Sequence, residues 1–496
     1  MELLTDASDN IINGCIAYCG GPISAIKACP MQLKDGRECV AVSVFHDEEH
    51  LVKRNTVDLT DYIQLWLFTN KEGSVVANLS FMLETKVGAI LSLAWCPSVR
   101  HSTHYTRQIP LSNLLGILAV AGMQGNVLLY RIFTDLFDQN SSDNPIVYRA
   151  KPFLSLKNPE VCLNAPIFSL AWTEYEGASK IAAVSAFGFF LYLFFSEFDL
   201  FFTGAVLLWD LNNLESSPFL LKVDDWSSPP SHVVFNFPNQ LVVSFREKFI
   251  LIYDYITKEV LLEEGASRTA GAKVASCERL FKGFVSYQCG NVAVHNPTQS
   301  FTSHSVSAGC YITCISTEGN FFVVPIINRH EICVWEMAFC PLTGALMSVG
   351  GDGRLVVSLN GRIVPHGTQR DVFFKACRVL MTVIRKPNDN NAWLSDTETN
   401  EKGSDLKAPA TNLELSAQAS YLEINFEDIK QECSFYLQPA NILIKVTFQC
   451  NQFPIQSYSI DLRTESLNVI DISQASGRLA ICGGEAGLLI FMPCIF

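Results

Sequence analysis

The chain is short of charge, and shorter still of positive charge. Only 17% of its 496 residues are Asp, Glu, Lys or Arg, below the roughly 25% usual for soluble domains. Its 36 Lys and Arg stand against 49 Asp and Glu, a formal net charge of −13. No basic cluster occurs; Lys53-Arg54 and Arg385-Lys386 are isolated pairs. Gripping a phosphate backbone needs clustered Lys and Arg. If the protein serves nucleic acid, another subunit is therefore expected to make most of the contact. Also missing is an uninterrupted apolar run of the ~20 residues that a membrane-spanning helix needs, so no membrane partner is expected. A glycine-rich phosphate loop, a nucleophile elbow and a pair of placed carboxylates are absent too. The sequence thus offers no fingerprint of an enzyme, and neither a cofactor nor a small-molecule substrate is expected. The first residues lack the basic stretch and apolar run of a secretory signal. The 17 cysteines are an odd, dispersed set, several in strand-like runs (Cys29, Cys96, Cys333, Cys340, Cys482). Together these features predict a reducing compartment, cytosol or nucleus, where thiols act as small apolar side chains.

What is abundant is apolar residue in strand-like blocks: 49% hydrophobic and 11% aromatic, ample for a large core. The clearest block is Ile167-Phe168-Ser169-Leu170-Ala171-Trp172, where Ile167, Ser169 and Ala171 alternate with Phe168, Leu170 and Trp172 in the two-residue period of a strand. Lys180 to Ser185 follows, then Gly204 to Leu211, ending in Trp209-Asp210, the dipeptide that closes many propeller blades. The pattern recurs. Earlier copies open at Ile23 (with Glu38–Val44 and Ile63–Phe68) and at Ile90 (with Leu115–Gly122 and Val127–Ile132). Later ones open at His232, weakly at Lys273 (with a possible extra piece at 310–326), and at Val334 and Leu467. Asp352-Gly353, between two apolar strands, reads as a hairpin turn rather than a catalytic carboxylate. About seven units predict an all-β fold, one seven-bladed propeller over residues 1–496 with loop insertions. Its ring is expected to close by pairing an early strand, near Ile12 to Cys19, with the last blade.

Two segments do not fit the repeat. Residues 386–412 are polar and read as a disordered loop. Phe189 to Thr203 is rich in phenylalanine and interrupted by Glu197 and Asp199; it falls where the second unit spends only a short turn. It is read as a partner-binding tongue, as an extra strand pair, or as a segment foreign to the fold. The last is preferred, because excising 189–204 restores a near-normal hairpin.

His46-Asp47-Glu48-Glu49-His50 spaces two histidines as a zinc-binding helix would, but Asp47 stands where the metalloprotease motif needs Glu, and the run lies between strands. A solvated loop is the expectation, and a metal-dependent hydrolase using His46 and His50 the enzyme-class alternative. His101 and His104 have only Cys96 nearby as a third ligand. Cys15 with Cys19, and Cys310 with Cys314, lack paired zinc spacing and read as buried thiols on one strand face. No catalytic, cofactor-binding or metal residue is assigned, and a binding surface made of loops has no spacing signature.

Several stretches together resemble one family. They are Ser92-Leu93-Ala94-Trp95-Cys96-Pro97, continued by Leu115 to Gly122 and Val127-Leu128-Leu129-Tyr130; Ile181 to Phe187 with Gly204 to Leu211; and Ser43 to His50 preceding Ile63-Gln64-Leu65-Trp66. The resemblance is to the WD-repeat subunit of general transcription factor IIIC, the second-largest subunit in animals. It covers roughly residues 20–360 and the last unit, most strongly the first three. It implies a non-enzymatic nuclear scaffold that pairs with a second propeller subunit. The complex recognises internal promoters of transfer-RNA genes and recruits the RNA polymerase III machinery. Such subunits often carry a long, partly basic amino-terminal extension; this sequence begins almost at its first unit, so contacts of such an arm are not expected. The alternative within the same class is another nuclear WD-repeat adaptor, in a ubiquitin-ligase or chromatin complex.

Overall fold

In the computed structural model the apolar blocks become short antiparallel strands, and among the described residues the only helix is the single turn Asp135–Asp138. The structure describes residues 2–3, 14–45, 61–71, 74–97, 113–138, 145–157, 165–173, 179–189, 201–213, 219–222, 229–236, 239–245, 249–265, 271–276, 284–288, 291–295, 311–312, 324–327, 330, 334–340, 346–358, 377–387, 420–425 and 466–493.

The arrangement is a β-propeller in which six blades are built in full. The first runs outward through Ile23–Gln32, Glu38–Val44, Asp61–Lys71 and Ser74–Thr85, the second through Ile90–Trp95, Leu114–Gly122, Asn126–Phe133 and Leu154–Lys157. The third comprises Ile167–Trp172, Lys180–Phe189, Phe201–Asp210 and Phe219–Lys222. The fourth comprises Pro230–Asn236, Gln240–Phe245, Phe249–Asp254 and Glu259–Gly265. A later blade opens with Val334–Phe339 and adds Leu346–Gly350, Arg354–Ser358, Cys377–Pro387 and Ser420–Asn425. The last blade takes Leu467–Ile472, Leu479–Gly484 and Leu488–Pro493 from the end of the chain and Cys15–Tyr18 from its beginning. That closure is the expected latch: Cys15 pairs with Phe491 and Tyr18 with Leu488, antiparallel. In the arc between the fourth and the later blade, Gly271–Ser276, Phe284–Gln288, Asn291–His295 and Val324–Ile327 pair in sequence, with Tyr311–Ile312 beyond.

Each blade packs on both faces, which is why its middle strands are apolar throughout rather than alternating. All nine residues of Leu114–Gly122 are buried. Leu65, Phe81, Trp95 and Tyr130 fill the space between blades one and two, and Trp66, Val42, Ile481 and Phe491 that between the last blade and the first. Burying a side chain of this size is worth about 1.5–3 kcal/mol, and the contacts join residues far apart in sequence.

Three hairpins between second and third strands share one turn. The N–H of Gly125 donates to Gly122 O, that of Gly353 to Gly350 O and that of Gly487 to Gly484 O. In each, the closing glycine has positive φ (73°, 69° and 76°), which costs glycine little and other residues about 1–2 kcal/mol. At Asp352-Gly353 the positive φ falls on Gly353 alone. In the third blade the two strands instead stay paired past this point, out to Phe189 opposite Phe201. Residues 190–200 lie outside the described set. The strand Cys377–Pro387 enters the segment read as a loop from 386, and 388–412 also lies outside.

Candidate interaction face at the channel mouth

The innermost strand of every blade slips register by one residue at the same place. The slips lie between Ile23 and Ala25, Ile90 and Ser92, Ile167 and Ser169, Pro230 and His232, Val334 and Glu336, and Leu467 and Val469. The strand Gly271–Ser276 slips likewise between Gly271 and Lys273. A bulge bends its strand and re-aims the extra residue. Here those residues include Leu91, Phe168 and Trp335, and the last two are 36% and 40% exposed. The strict alternation read in Ile167–Trp172 is therefore interrupted: Phe168, expected to share a face with Leu170 and Trp172, turns to solvent while both of those are buried. The end of the propeller at which the inner strands begin thus presents Phe168 and Trp335, while the corresponding residues of the first, fourth and last blades are Ser24, Ser231 and Asn468.

Below this rim lies a cavity of about 240 Å³ reached by residues of all six blades, among them Ser24, Lys27, Ser92, His232, Glu336 and Asp471. The free edges of inner strands carry N–H groups that need acceptors, and polar side chains of neighbouring strands supply several of them. Leu170 N donates to Ser92 Oγ (3.0 Å), Val233 N to Ser169 Oγ (3.3 Å) and Ile470 N to Glu336 Oε2 (3.3 Å). Ser92, Ser169 and Glu336 each follow a bulge. In the last blade that position is Val469, which has no acceptor, and Asp471 two residues on accepts from Ala28 N (2.8 Å) instead.

Asp471 Oδ1 also lies 3.9 Å from Lys27 Nζ, linking the last blade to the first. Burial disfavours the Lys27 charge, but Asp471 and Glu336 more than offset this and hold its pKa above the ordinary value. Burial, then Glu336, hold the Asp471 carboxyl above its ordinary value against the pull of Lys27 and two backbone N–H groups. The two directions agree: the Lys27 ammonium gains from two carboxylates, while Asp471 faces Glu336 as well as the ammonium.

A Ser–His–Asp constellation exists elsewhere, and the sequence reading missed it. His330 Nδ1 stands 2.9 Å from Asp352 Oδ1 and its Nε2 2.9 Å from Ser348 Oγ. A hydrolase triad looks like this, but Ser348, His330 and Asp352 are 1%, 3% and 4% exposed, so no substrate reaches the hydroxyl. The network ties the approach to Val334 to the turn before Arg354, whose N–H also donates to Asp352 (3.2 Å). Only the spacing of Ser348 to Asp352 across a hairpin could have hinted at it; nothing local points to His330.

Cys15 and Cys19 are both buried and in no disulfide, as are Cys29, Cys39, Cys96, Cys340 and Cys482. Burial pushes the thiols of Cys19 and Cys29 up to about 12, far from the thiolate that nucleophiles and metal ligands require. His46, His50, His101, His104, Cys310 and Cys314 lie outside the described residues. Among the described residues no group of three or more His, Cys, Asp or Glu could hold a metal ion, and no helix is long and apolar enough to cross a membrane. No protein-family model matches the chain, and no curated protein matches it either.

Proposed function

We propose that this chain is a non-catalytic scaffold, a seven-bladed WD-repeat propeller acting as a subunit of general transcription factor IIIC in the nucleus. In this reading it supports recognition of transfer-RNA gene promoters through protein–protein contacts with other subunits, among them a second propeller. DNA is met mainly through the complex. The observation that carries the proposal is the run of family-like stretches in the first three blades, from Ser43 to Leu211. The seventh blade is the strand group opened by Gly271–Ser276. It is supported by the lodging of that strand between Pro230–Asn236 and Val334–Phe339 and by its bulge, shared with the other six inner strands. The non-catalytic reading draws support from the inaccessibility of the Ser348–His330–Asp352 network and from the high thiol pKa values.

Affinity purification from nuclear extract, with identification of co-purifying chains, tests the assembly. Other transcription factor IIIC subunits are expected, and their absence defeats the proposal. Metal analysis tests the non-catalytic part: stoichiometric zinc that disappears in His46→Ala would overturn it.

A further inference from the structure

The geometry points to a second interaction surface, a cleft between blades one and two that docks an extended acidic segment of a partner protein carrying one apolar side chain. The cleft is made by a detour of the chain. After Asn126–Phe133 the backbone turns through Asp135–Asp138 and lays Ile146–Tyr148 parallel to the outer strand of blade one, Ile146 opposite Phe81. It then returns to blade two as Leu154–Lys157. The detour walls a cavity of about 360 Å³ whose apolar surface includes Phe81, Tyr130, Tyr148 and Phe153. Tyr148 meets Phe81 edge-on at 5.2 Å, and the Arg131 guanidinium lies 4.2 Å over the Phe153 ring. This pocket is wide enough for an aromatic or branched side chain.

Its rim is basic. Arg149, 83% exposed, pairs with Glu84; Lys151 is exposed and forms no ion pair among the described residues. The helix carboxylates are engaged elsewhere, Asp135 by Asn113 and Thr134 and Asp138 by Arg37. Arg131, Arg149 and Lys151 thus line an apolar floor, with Glu84 the carboxylate paired to Arg149 among the described residues, on a chain whose net charge is −13. That local reversal of sign complements a partner carrying carboxylates. Three cations, one of them stacked on Phe153, make a poor track for a phosphodiester backbone, which needs an extended basic stripe. Ile146–Tyr148 ends its sheet, and Ile146 and Val147 are 37% and 47% exposed. An incoming extended segment therefore meets, beside the pocket, a strand edge that no other described strand covers.

This surface is independent of the assembly proposed above and is tested on the purified full chain. The probes are fluorescent peptides with several glutamates around one phenylalanine or leucine, their glutamine counterparts, and a single-stranded oligonucleotide of equal charge. The acidic peptides are expected to bind, and to bind less as salt rises. Arg149→Gln combined with Lys151→Glu is expected to weaken binding by about tenfold while the far-ultraviolet circular dichroism of the folded chain is kept, Arg149 and Lys151 both being exposed. Absence of binding, equal binding of the glutamine peptides, preference for the oligonucleotide, or indifference to the double substitution each overturns the inference.

Discussion

Lys27 and Asp471 show how much a single residue pair can decide in this molecule. The Asp471 carboxylate accepts the Ala28 N–H and faces Lys27 across the seam between last blade and first. A cation whose folded pKa is raised contributes stability that is fully present below its unfolded value and is lost as pH rises through the folded one. For Lys27 that window opens near the ordinary 10.5 and extends above it. Asp471 runs the other way, its raised pKa drawing stability down as pH climbs through the acid range from 3.8. Lys27→Met is therefore expected to lower the urea midpoint in the neutral range. The Lys27 side chain is 37% exposed, so water screens the pair and the loss is about 1 kcal/mol or less. The gap from wild type should close above 10.5; a gap independent of pH would refute the pairing. None of this is legible locally. Lys27 sits in an apolar strand with no hint of its partner, and Phe168 reads as an inward residue until a bulge turns it out.

Among the elements, the hairpins were readable and partly read. Gly122-Met123-Gln124-Gly125, Gly350-Gly351-Asp352-Gly353 and Gly484-Glu485-Ala486-Gly487 spell one turn, visible in the sequence as glycine spacing. Two of the opening glycines are also sterically constrained: a Cβ on Gly122 would lie 2.3 Å from Ala89 O, and one on Gly484 3.0 Å from Ser466 O. Register places Ser185 of the third blade, opposite Ile167, where Gly122 stands opposite Ile90. With 189–204 removed, Ser185-Ala186-Phe187-Gly188 would supply the corresponding turn, Gly188 taking the place of Gly125. Joining Gly188 directly to Ala205 would keep Ser185 opposite Ala205, a pair already present. Deleting 189–204 is accordingly expected to leave the melting temperature unchanged or higher and to raise soluble yield. Loss of the folded state on deletion would show that the segment belongs to the blade.

At the scale of the whole molecule, the ring stands or falls with its closure. Cys15–Tyr18 is the fourth strand of a blade whose three inner strands end the chain, with Glu2–Leu3 paired beyond it, and Cys15, Ala17 and Cys19 are buried against that blade. Removing residues 1–20 exposes that sheet edge and is expected to lower the melting temperature by roughly 5 °C or more, with broadened unfolding; an unchanged curve would sink the latch. The sequence by itself determined the repeated unit and most of its strands and turns, because strand-length apolar runs bounded by turn residues, and positive φ at glycine, are local properties of the chain. It also made the closing strand deducible, since a propeller must pair its edges. Only the tertiary structure decided which residues face the channel, that a buried serine, histidine and aspartate serve the fold, and that a detour of blade two builds a basic cleft on blade one. The reason is distance along the chain. Ala28 and Asp471 are 443 residues apart when they share a hydrogen bond, and no periodicity within either strand records that they meet.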